Sequence, residues 1–301
     1  MIYEIVPPRR DTSRFSTELK GVEGVLSDQR ITAINIPELT NRRVEQTRTV
    51  YSPATIPPED YAMMVQGLKE SIVNIISPRL SMDEFRRRAF RILNEYHIPN
   101  LVIVGKERHD DQLPGPSATE ALRILSKDKP EGAALGGICI FNRRASGSDG
   151  AGVVSSRMSE HMRVWLKAEA GCDFVTSQII FDSKDALSFL RAYQGLCEET
   201  QREPVTVFIS ITTVPTGGIL SLLKTLDVVV PERVSSRLLG KSEMGRESVQ
   251  VANEVFSEIV TTTKDEGITV PIGLQVEQVG VNSGELSLEL LDKTYSVLKE
   301  S

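Results

Sequence analysis

The first residues of the chain place a carboxylic acid where it could move a proton. Glu4 stands in the apolar run Ile-Tyr-Glu-Ile-Val, directly before Pro7 and Pro8. Inside a barrel, burial would disfavour the charged form of this carboxyl, raise its pKa and give an acid that holds and releases a proton near neutral pH. The alternative is a purely structural pairing with an Arg or Lys of the barrel, and the residues alone weigh the two equally.

A second group of polar residues lies in the predicted sixth strand. Thr176, Ser177 and Gln178 interrupt an otherwise apolar run, and buried polar side chains need hydrogen-bond partners. The Gln178 amide carries both donor and acceptor groups, so it could hold the edge of a heterocycle. An internal hydrogen bond to a neighbouring strand is the alternative.

Three charged residues share one face of a predicted helix. Glu160, Arg163 and Lys167 are spaced i, i+3, i+7. Such a stripe is usually a solvated surface. If the face lies near a barrel mouth, it could instead clamp the phosphate or ribose of a cofactor.

Short apolar segments alternate with longer segments of helical period, which indicates βα units around a parallel sheet. The predicted strands are 2–6, 31–36, 73–77, 101–104, 136–141, 174–181, 205–211 and 272–279. The predicted helices are 59–69, 82–96, 118–126, 156–170, 183–200, 240–264 and 286–298. Ser81 is the expected N-cap of the second of these, with Asp83 and Glu84 in its first turn.

An open doubly wound sheet would give the same alternation of strands and helices. No G-x-G-x-x-G follows the first strand, so the usual dinucleotide turn is missing. We therefore predict an α/β fold, a (β/α)8 TIM barrel that forms a single domain over 1–301. In that fold the working residues lie at the C-terminal ends of the strands.

Composition excludes several classes of function. The 35 Lys and Arg against 41 Asp and Glu give a net charge of -6, which argues against a nucleic-acid partner. The sequence has no apolar run of the ~18 to 20 residues that span a bilayer, so we predict a cytoplasmic protein without a membrane partner. The 3 Cys and 3 His are scattered, and we predict no metal site.

Four segments, in order along the chain, resemble the methylenetetrahydrofolate reductases. Glu4-Ile-Val-Pro-Pro-Arg resembles the family's opening Glu-Phe-Phe-Pro-Pro-Arg, whose Glu is the catalytic acid. Thr176-Ser-Gln-Ile-Ile-Phe-Asp resembles its Thr-Gln-Phe-Phe-Phe-Asp run. Segments 32–37 and 226–232 resemble its second strand and the stretch after its seventh. The similarity covers most of the chain.

This resemblance implies an oxidoreductase of one-carbon metabolism. It would reduce 5,10-methylenetetrahydrofolate, or a related methylene-pterin, to the 5-methyl form, with NAD(P)H as the ultimate hydride donor. Glu4 would protonate a folate nitrogen to open the five-membered ring. The implied substrate-binding residues are Gln178, Thr176 and Gln275. The implied cofactor-binding residues are Arg79, Lys106, Phe141, Glu160, Arg163 and Lys167.

Several departures from the family pattern concern the flavin. The family's Arg-Gly-Asp after its fourth strand is here Val104-Gly105-Lys106, and its Pro-His-Leu-Thr is Pro78-Arg-Leu-Ser. Its Tyr-Pro-Glu is Phe141-Asn-Arg. Changing these positions together alters the charge and shape of a flavin pocket, so the sequence leaves FAD open as a cofactor. Without it, hydride would pass directly from NAD(P)H.

Two other classes of function remain open on the sequence. One is a non-catalytic barrel that binds a folate or pterin, or that serves as a subunit of a one-carbon enzyme complex. The other is a pterin-dependent methyltransferase, which would need a cobalamin partner or a zinc ion that the Cys and His spacing does not offer. A homo-oligomer is compatible with each of them.

Overall fold

The computed structural model describes residues 1–9, 23–39, 55–106, 112–145, 154–156, 158–279 and 284–300. Eight parallel strands close into a barrel in the ring order β1-β8-β7-β6-β5-β4-β3-β2. The strands are β1 Ile2–Glu4, β2 Ala33–Ile36, β3 Glu70–Ile76, β4 Asn100–Val104, β5 Ala134–Cys139, β6 Phe174–Ser177, β7 Thr206–Thr212 and β8 Ile272–Glu277. The predicted TIM barrel and its eight strands are confirmed, although β1 ends at Glu4 and β6 at Ser177, earlier than the predicted 2–6 and 174–181.

Helices surround the barrel. They are α1 Pro58–Met64, α2 Met82–Asn94, α3 Ala118–Asp128, α4 Glu160–Glu169, α5 Lys184–Glu199, α6 Gly217–Thr225, α7 Glu232–Leu239, α8 Met244–Asp265 and α9 Gly284–Glu300. The sequence did not predict α6 and α7. Helix α6 opens with two glycines, which disfavour helix, and is held at its start by the Thr216 hydroxyl, which accepts from Ile219 N at 3.4 Å. None of the described helices is both long enough and apolar enough to cross a bilayer.

The alternation of side chains along each strand divides the core into two parts. Outward residues such as Ile34 and Leu274 pack against the helices in the main cluster. Inward residues form a separate small cluster of Ile2, Ala33, Ile72, Val102 and Phe174, with Phe208 packed against it. These inward residues fill the N-terminal half of the barrel interior, as the fold requires.

Two aromatic rings form the floor of this interior. Phe174 and Phe208 meet edge to face, with ring centroids 5.7 Å apart. Glycines on the neighbouring strands make room for them: a Cβ on Gly273 would lie 2.3 Å from the Phe208 ring, and one on Gly136 would lie 2.5 Å from Phe174. The floor therefore depends on the absence of a side chain at both positions.

A buried ion cluster joins the mouth of the barrel to α2. Arg88 donates through Nε and Nη2 to the two carboxylate oxygens of Glu59, at 2.9 and 2.7 Å, and through Nη1 to Glu38 at 2.6 Å. The second oxygen of Glu38 accepts from the backbone N–H of Ile76 at 2.6 Å. Because Glu38 follows β2 and Ile76 ends β3, the cluster fixes the upper ends of both strands.

The predicted N-cap of α2 is confirmed. The Ser81 hydroxyl accepts from Glu84 N at 3.4 Å, and the Glu84 carboxylate accepts from Ser81 N at 2.9 Å. This reciprocal pair is a capping box, which satisfies two backbone donors at once.

We expect Ser81→Ala to lower the free energy of unfolding by about 1 kcal/mol, because it removes the cap's acceptor. Urea denaturation of the two proteins measures the difference. Ser221→Ala, an exposed Ser within α6, is the matched control and should stay within ~0.5 kcal/mol. Equal stability losses for the two variants would contradict the assignment of Ser81 as a cap.

Candidate active site

The upper half of the barrel interior is polar. The same alternation that sends apolar side chains inward near the floor sends polar ones inward near the C-terminal ends of the strands. Within the described strands, none of the inward positions is Lys or Arg. The inward polar side chains are Glu4, Asn35, Asn74, Thr176, Ser210, Thr212, Gln275 and Glu277.

Two carboxyl groups stand side by side in this polar layer. Glu4 closes β1 and Glu277 closes β8, and the two are register partners on neighbouring strands, which places their backbones about 4.8 Å apart. Asn35, the partner of Glu4 on β2, donates from Nδ2 to Glu4 Oε2 at 2.9 Å. Gln275 donates from Nε2 to Glu277 Oε1 at 3.2 Å. Each carboxyl group is thus held by one amide.

Both groups take up protons more readily than ordinary carboxyls. Burial raises the pKa of Glu4 well above its usual value, the charge of Glu277 raises it further, and the Asn35 hydrogen bond offsets part of the rise. Burial also raises the pKa of Glu277 to about 7, with Ser210 and Gln275 opposing it. Because the two titrate as a pair, the pair can hold a proton at neutral pH.

These shifts predict how stability depends on pH. The raised pKa of Glu277 contributes stability that is present below its unfolded value and is lost as pH rises through about 7. We expect wild-type protein to lose up to roughly 3 kcal/mol from this group between pH 4.5 and 8, and Glu277→Gln to lose less. Urea unfolding at both pH values tests this, with the exposed Glu258→Gln as control. An unchanged pH dependence in Glu277→Gln would refute the assignment.

Several inward oxygens have no hydrogen-bond partner among the described residues. They include the amide oxygens of Asn35, Asn74 and Gln275 and the hydroxyl of Thr176. In Asn35 and Gln275 the amide nitrogen is held by a carboxylate, so the oxygen is the atom left over. The upper interior is therefore lined by unused acceptors.

Gln178 lies higher, at the rim. It directly follows β6 and is half-buried, and its side-chain oxygen accepts from Ile179 N at 3.1 Å. Phe141 and Asn142 line with it a rim cavity of about 200 Å³. Glu4 does not line that cavity, since β8 and β7 separate β1 from β6 around the ring. Both residues nevertheless lie at the same end of the barrel, because all of its strands run parallel.

Solved structures share the fold, among them the following two. One is a protein from Clostridium thermocellum, described as uncharacterized and as binding two copies of 5-methyl-5,6,7,8-tetrahydrofolic acid. It is 20% identical, with a TM-score of 0.76 over 98% of this chain and 95% of that chain. The other is the spore cortex-lytic enzyme SleL of Bacillus cereus, 10% identical, with a TM-score of 0.52 over 97% and 73%. No family model and no curated protein matches the chain.

The predicted cofactor-clamp residues Glu160 and Lys167 of helix α4 form hydrogen bonds within the protein. The buried Lys167 amine donates to the carbonyl of Ile138 on β5. Buried Glu160 accepts from Ile140 N at 3.0 Å and from Arg143 Nη1 at 3.2 Å. The interpretation of this stripe as a solvated surface is therefore wrong for Glu160 and Lys167, which fasten α4 to the upper part of β5.

The third member of the stripe, Arg163, is half-buried, with Nε 3.9 Å from Glu160 Oε2. Burial and the neighbouring charge of Arg143 lower its pKa. With a carboxylate at its centre and its lysine turned to a strand backbone, the cluster does not fit the diphosphate of FAD.

The remaining predicted cofactor residues are dispersed around the rim. Arg79 ends the single turn Ser77–Arg79 after β3, and exposed Lys106 follows β4. Phe141 is buried against Phe189, with ring centroids 4.9 Å apart. Of the predicted site residues, Phe141 and Gln178 line the rim cavity together.

Sequence reasoning missed Glu277, Asn35 and Asn74. A signal for each was present in the alternation of side chains along a strand. The first and third residues of 33–35, 72–74 and 275–277 point to the same face, which in these strands is the inside of the barrel. In the described part of the chain, no group of three or more His, Cys, Asp or Glu could hold a metal ion. The cysteines Cys139, Cys172 and Cys197 are buried and free.

Proposed function

We propose that this barrel binds a reduced folate in its polar upper half and reduces 5,10-methylenetetrahydrofolate to the 5-methyl form with NAD(P)H. The observation that carries the proposal is the carboxyl pair of Glu4 and Glu277, which faces into the barrel and has the raised pKa that a neutral-pH acid needs. A purely structural carboxyl would be paired with a cation, and the described strands turn none inward.

The reaction assigns one proton and one hydride. Glu4 gives its proton to the folate nitrogen whose bond to the methylene carbon breaks. When bound, NAD(P)H would supply the hydride to that carbon, which would become the methyl group, and NAD(P)⁺ would be released. Solvent then returns a proton to the carboxyl pair. Residues of the rim exclude water and orient the two reactants, which is the protein's main contribution to such a hydride transfer.

Fold similarity supports folate as the class of ligand. The Clostridium thermocellum protein that shares this barrel over nearly its whole length binds the methyl form of tetrahydrofolate, which would be the product of the proposed reaction. The amide-lined interior suits the same ligand, because its ring carries several N–H groups. The SleL likeness adds only the barrel itself.

A second candidate is a barrel that binds folate without reacting. The contacts of α4 favour it, because Glu160 and Lys167 are committed to the backbone of residues 138–140. A barrel without a site for a flavin would need NAD(P)H to deliver hydride directly, whereas a barrel that only binds folate needs neither. The two candidates differ in turnover and agree in binding.

One experiment separates these functions. Purified protein is tested for flavin absorbance, for affinity to 5-methyltetrahydrofolate, and for oxidation of NADH or NADPH with methylenetetrahydrofolate, with and without added FAD. Formation of the 5-methyl product without flavin is the expected result. Binding without turnover in any combination would leave the binding barrel as the function, and absence of both would exclude the two proposals together.

A further inference from the structure

The unused acceptors of the barrel interior belong to side chains that are almost completely buried. Asn35 and Gln275 are each 1% exposed and Asn74 is 6% exposed, and their amide oxygens have no partner among the described residues. A buried acceptor without a partner costs about 1 to 3 kcal/mol. Native interiors leave few such groups, so several in one layer indicate a surface completed by a ligand.

The orientation of each acceptor follows from its neighbours. The carboxylate of Glu4 takes the Asn35 amide hydrogen, and the carboxylate of Glu277 takes that of Gln275. The oxygens left without a partner on this wall are those of the Asn35 and Gln275 amides, joined by the Asn74 oxygen on β3. A ligand for this wall must bring N–H donors. An anion or a carbonyl would set one acceptor against another.

We propose that Asn35, Asn74, Gln275 and Glu277 form an acceptor wall that binds the donor-bearing edge of a 2-amino-4-oxopyrimidine ring. Such a ring presents an exocyclic amino group and an adjacent ring N–H on one side, which match a carboxylate with a neighbouring amide oxygen. The inference rests on the proposed function for its ligand class and adds how the ring is oriented. Glu4 is then left to hold the proton.

The test compares two ring systems that differ in one donor. Pterin carries the 2-amino group, and lumazine carries a carbonyl in its place. We expect wild-type protein to bind pterin at least about tenfold more tightly, since lumazine sets an acceptor against the wall. Titration calorimetry or ligand fluorescence measures both affinities. Equal affinities would overturn the proposal and would indicate that ordered water satisfies the acceptor oxygens.

Variants assign the discrimination to the wall. Gln275→Leu should reduce the pterin preference to within about threefold, whereas the exposed Gln250→Leu on α8 should keep it. Asn74→Leu is a second variant, on another strand. If one of the two variants folds poorly, the other still tests the proposal. A pterin preference that survives in both folded variants would place recognition elsewhere and overturn the wall.

The outcome is independent of catalysis. A pterin preference without folate turnover would retain the wall while removing the reductase. Turnover of folate with no pterin preference would retain the reductase and remove the wall. If wild-type protein bound neither pterin nor 5-methyltetrahydrofolate, both proposals would fall.

Discussion

Replacing Glu4 by glutamine is expected to lower the rate of methylenetetrahydrofolate reduction roughly 100- to 10,000-fold, the usual contribution of a general acid. Glutamine keeps the size of the side chain but has no acidic proton to give. Affinity for 5-methyltetrahydrofolate should change little, because the acceptor wall is intact. Steady-state NAD(P)H oxidation and equilibrium binding measure the two quantities separately.

The wild-type rate should also fall as pH rises through the folded pKa of Glu4, which lies well above that of an ordinary glutamate. Only the protonated acid can open the ring, so the active fraction declines on the alkaline side. Glu258→Gln, an exposed carboxyl on α8, is the matched control and should behave as wild type. Full activity in Glu4→Gln would remove Glu4 from the mechanism.

The second large effect concerns stability. We expect Arg88→Met to lower the free energy of unfolding by about 3 to 5 kcal/mol, because it removes the cation that two buried carboxylates share. Glu38 then keeps only the backbone N–H of Ile76, and Glu59 keeps Arg91 at 3.9 Å. The side chains of Glu38 and Glu59 are only 2% and 5% exposed, so water cannot replace the guanidinium. Urea denaturation measures the loss.

Two further proteins make this test specific. Arg87→Met, one residue earlier on the exposed face of α2, should change stability by less than ~0.5 kcal/mol. The triple variant Arg88→Met, Glu38→Gln, Glu59→Gln should regain much of the loss, because no charge is then left buried alone. A loss below ~1 kcal/mol in Arg88→Met would show that the cluster contributes little to the fold.

The barrel was predictable because each strand is a short apolar run set between amphipathic helices. Residues such as Val102 and Ile103 are buried on both faces of β4, and such runs show in the sequence without any knowledge of neighbours. The region between β7 and α8 was harder, since the double glycine at Gly217 argues locally against a helix. There the satellite cluster around Leu220 and Leu238 outweighs local preference.

The site was predictable only in part. Glu4 could be singled out because it is a charged residue in an apolar strand. Glu277 could not be joined to it, because their contact arises when the first and last strands close the ring, over a separation of nearly the whole chain. The opposite error occurred at Lys167: its spacing was helical as predicted, and its burial against β5 depends on a carbonyl that no sequence pattern reveals.

The paired rings of Phe174 and Phe208 determine how ligands reach the barrel interior. Because they close the lower end of the barrel, every ligand must enter and leave the interior through the opening at the upper end. For the proposed reaction, we expect the folate and NAD(P)H to share this opening, so that the ligand bound deeper enters first and leaves last.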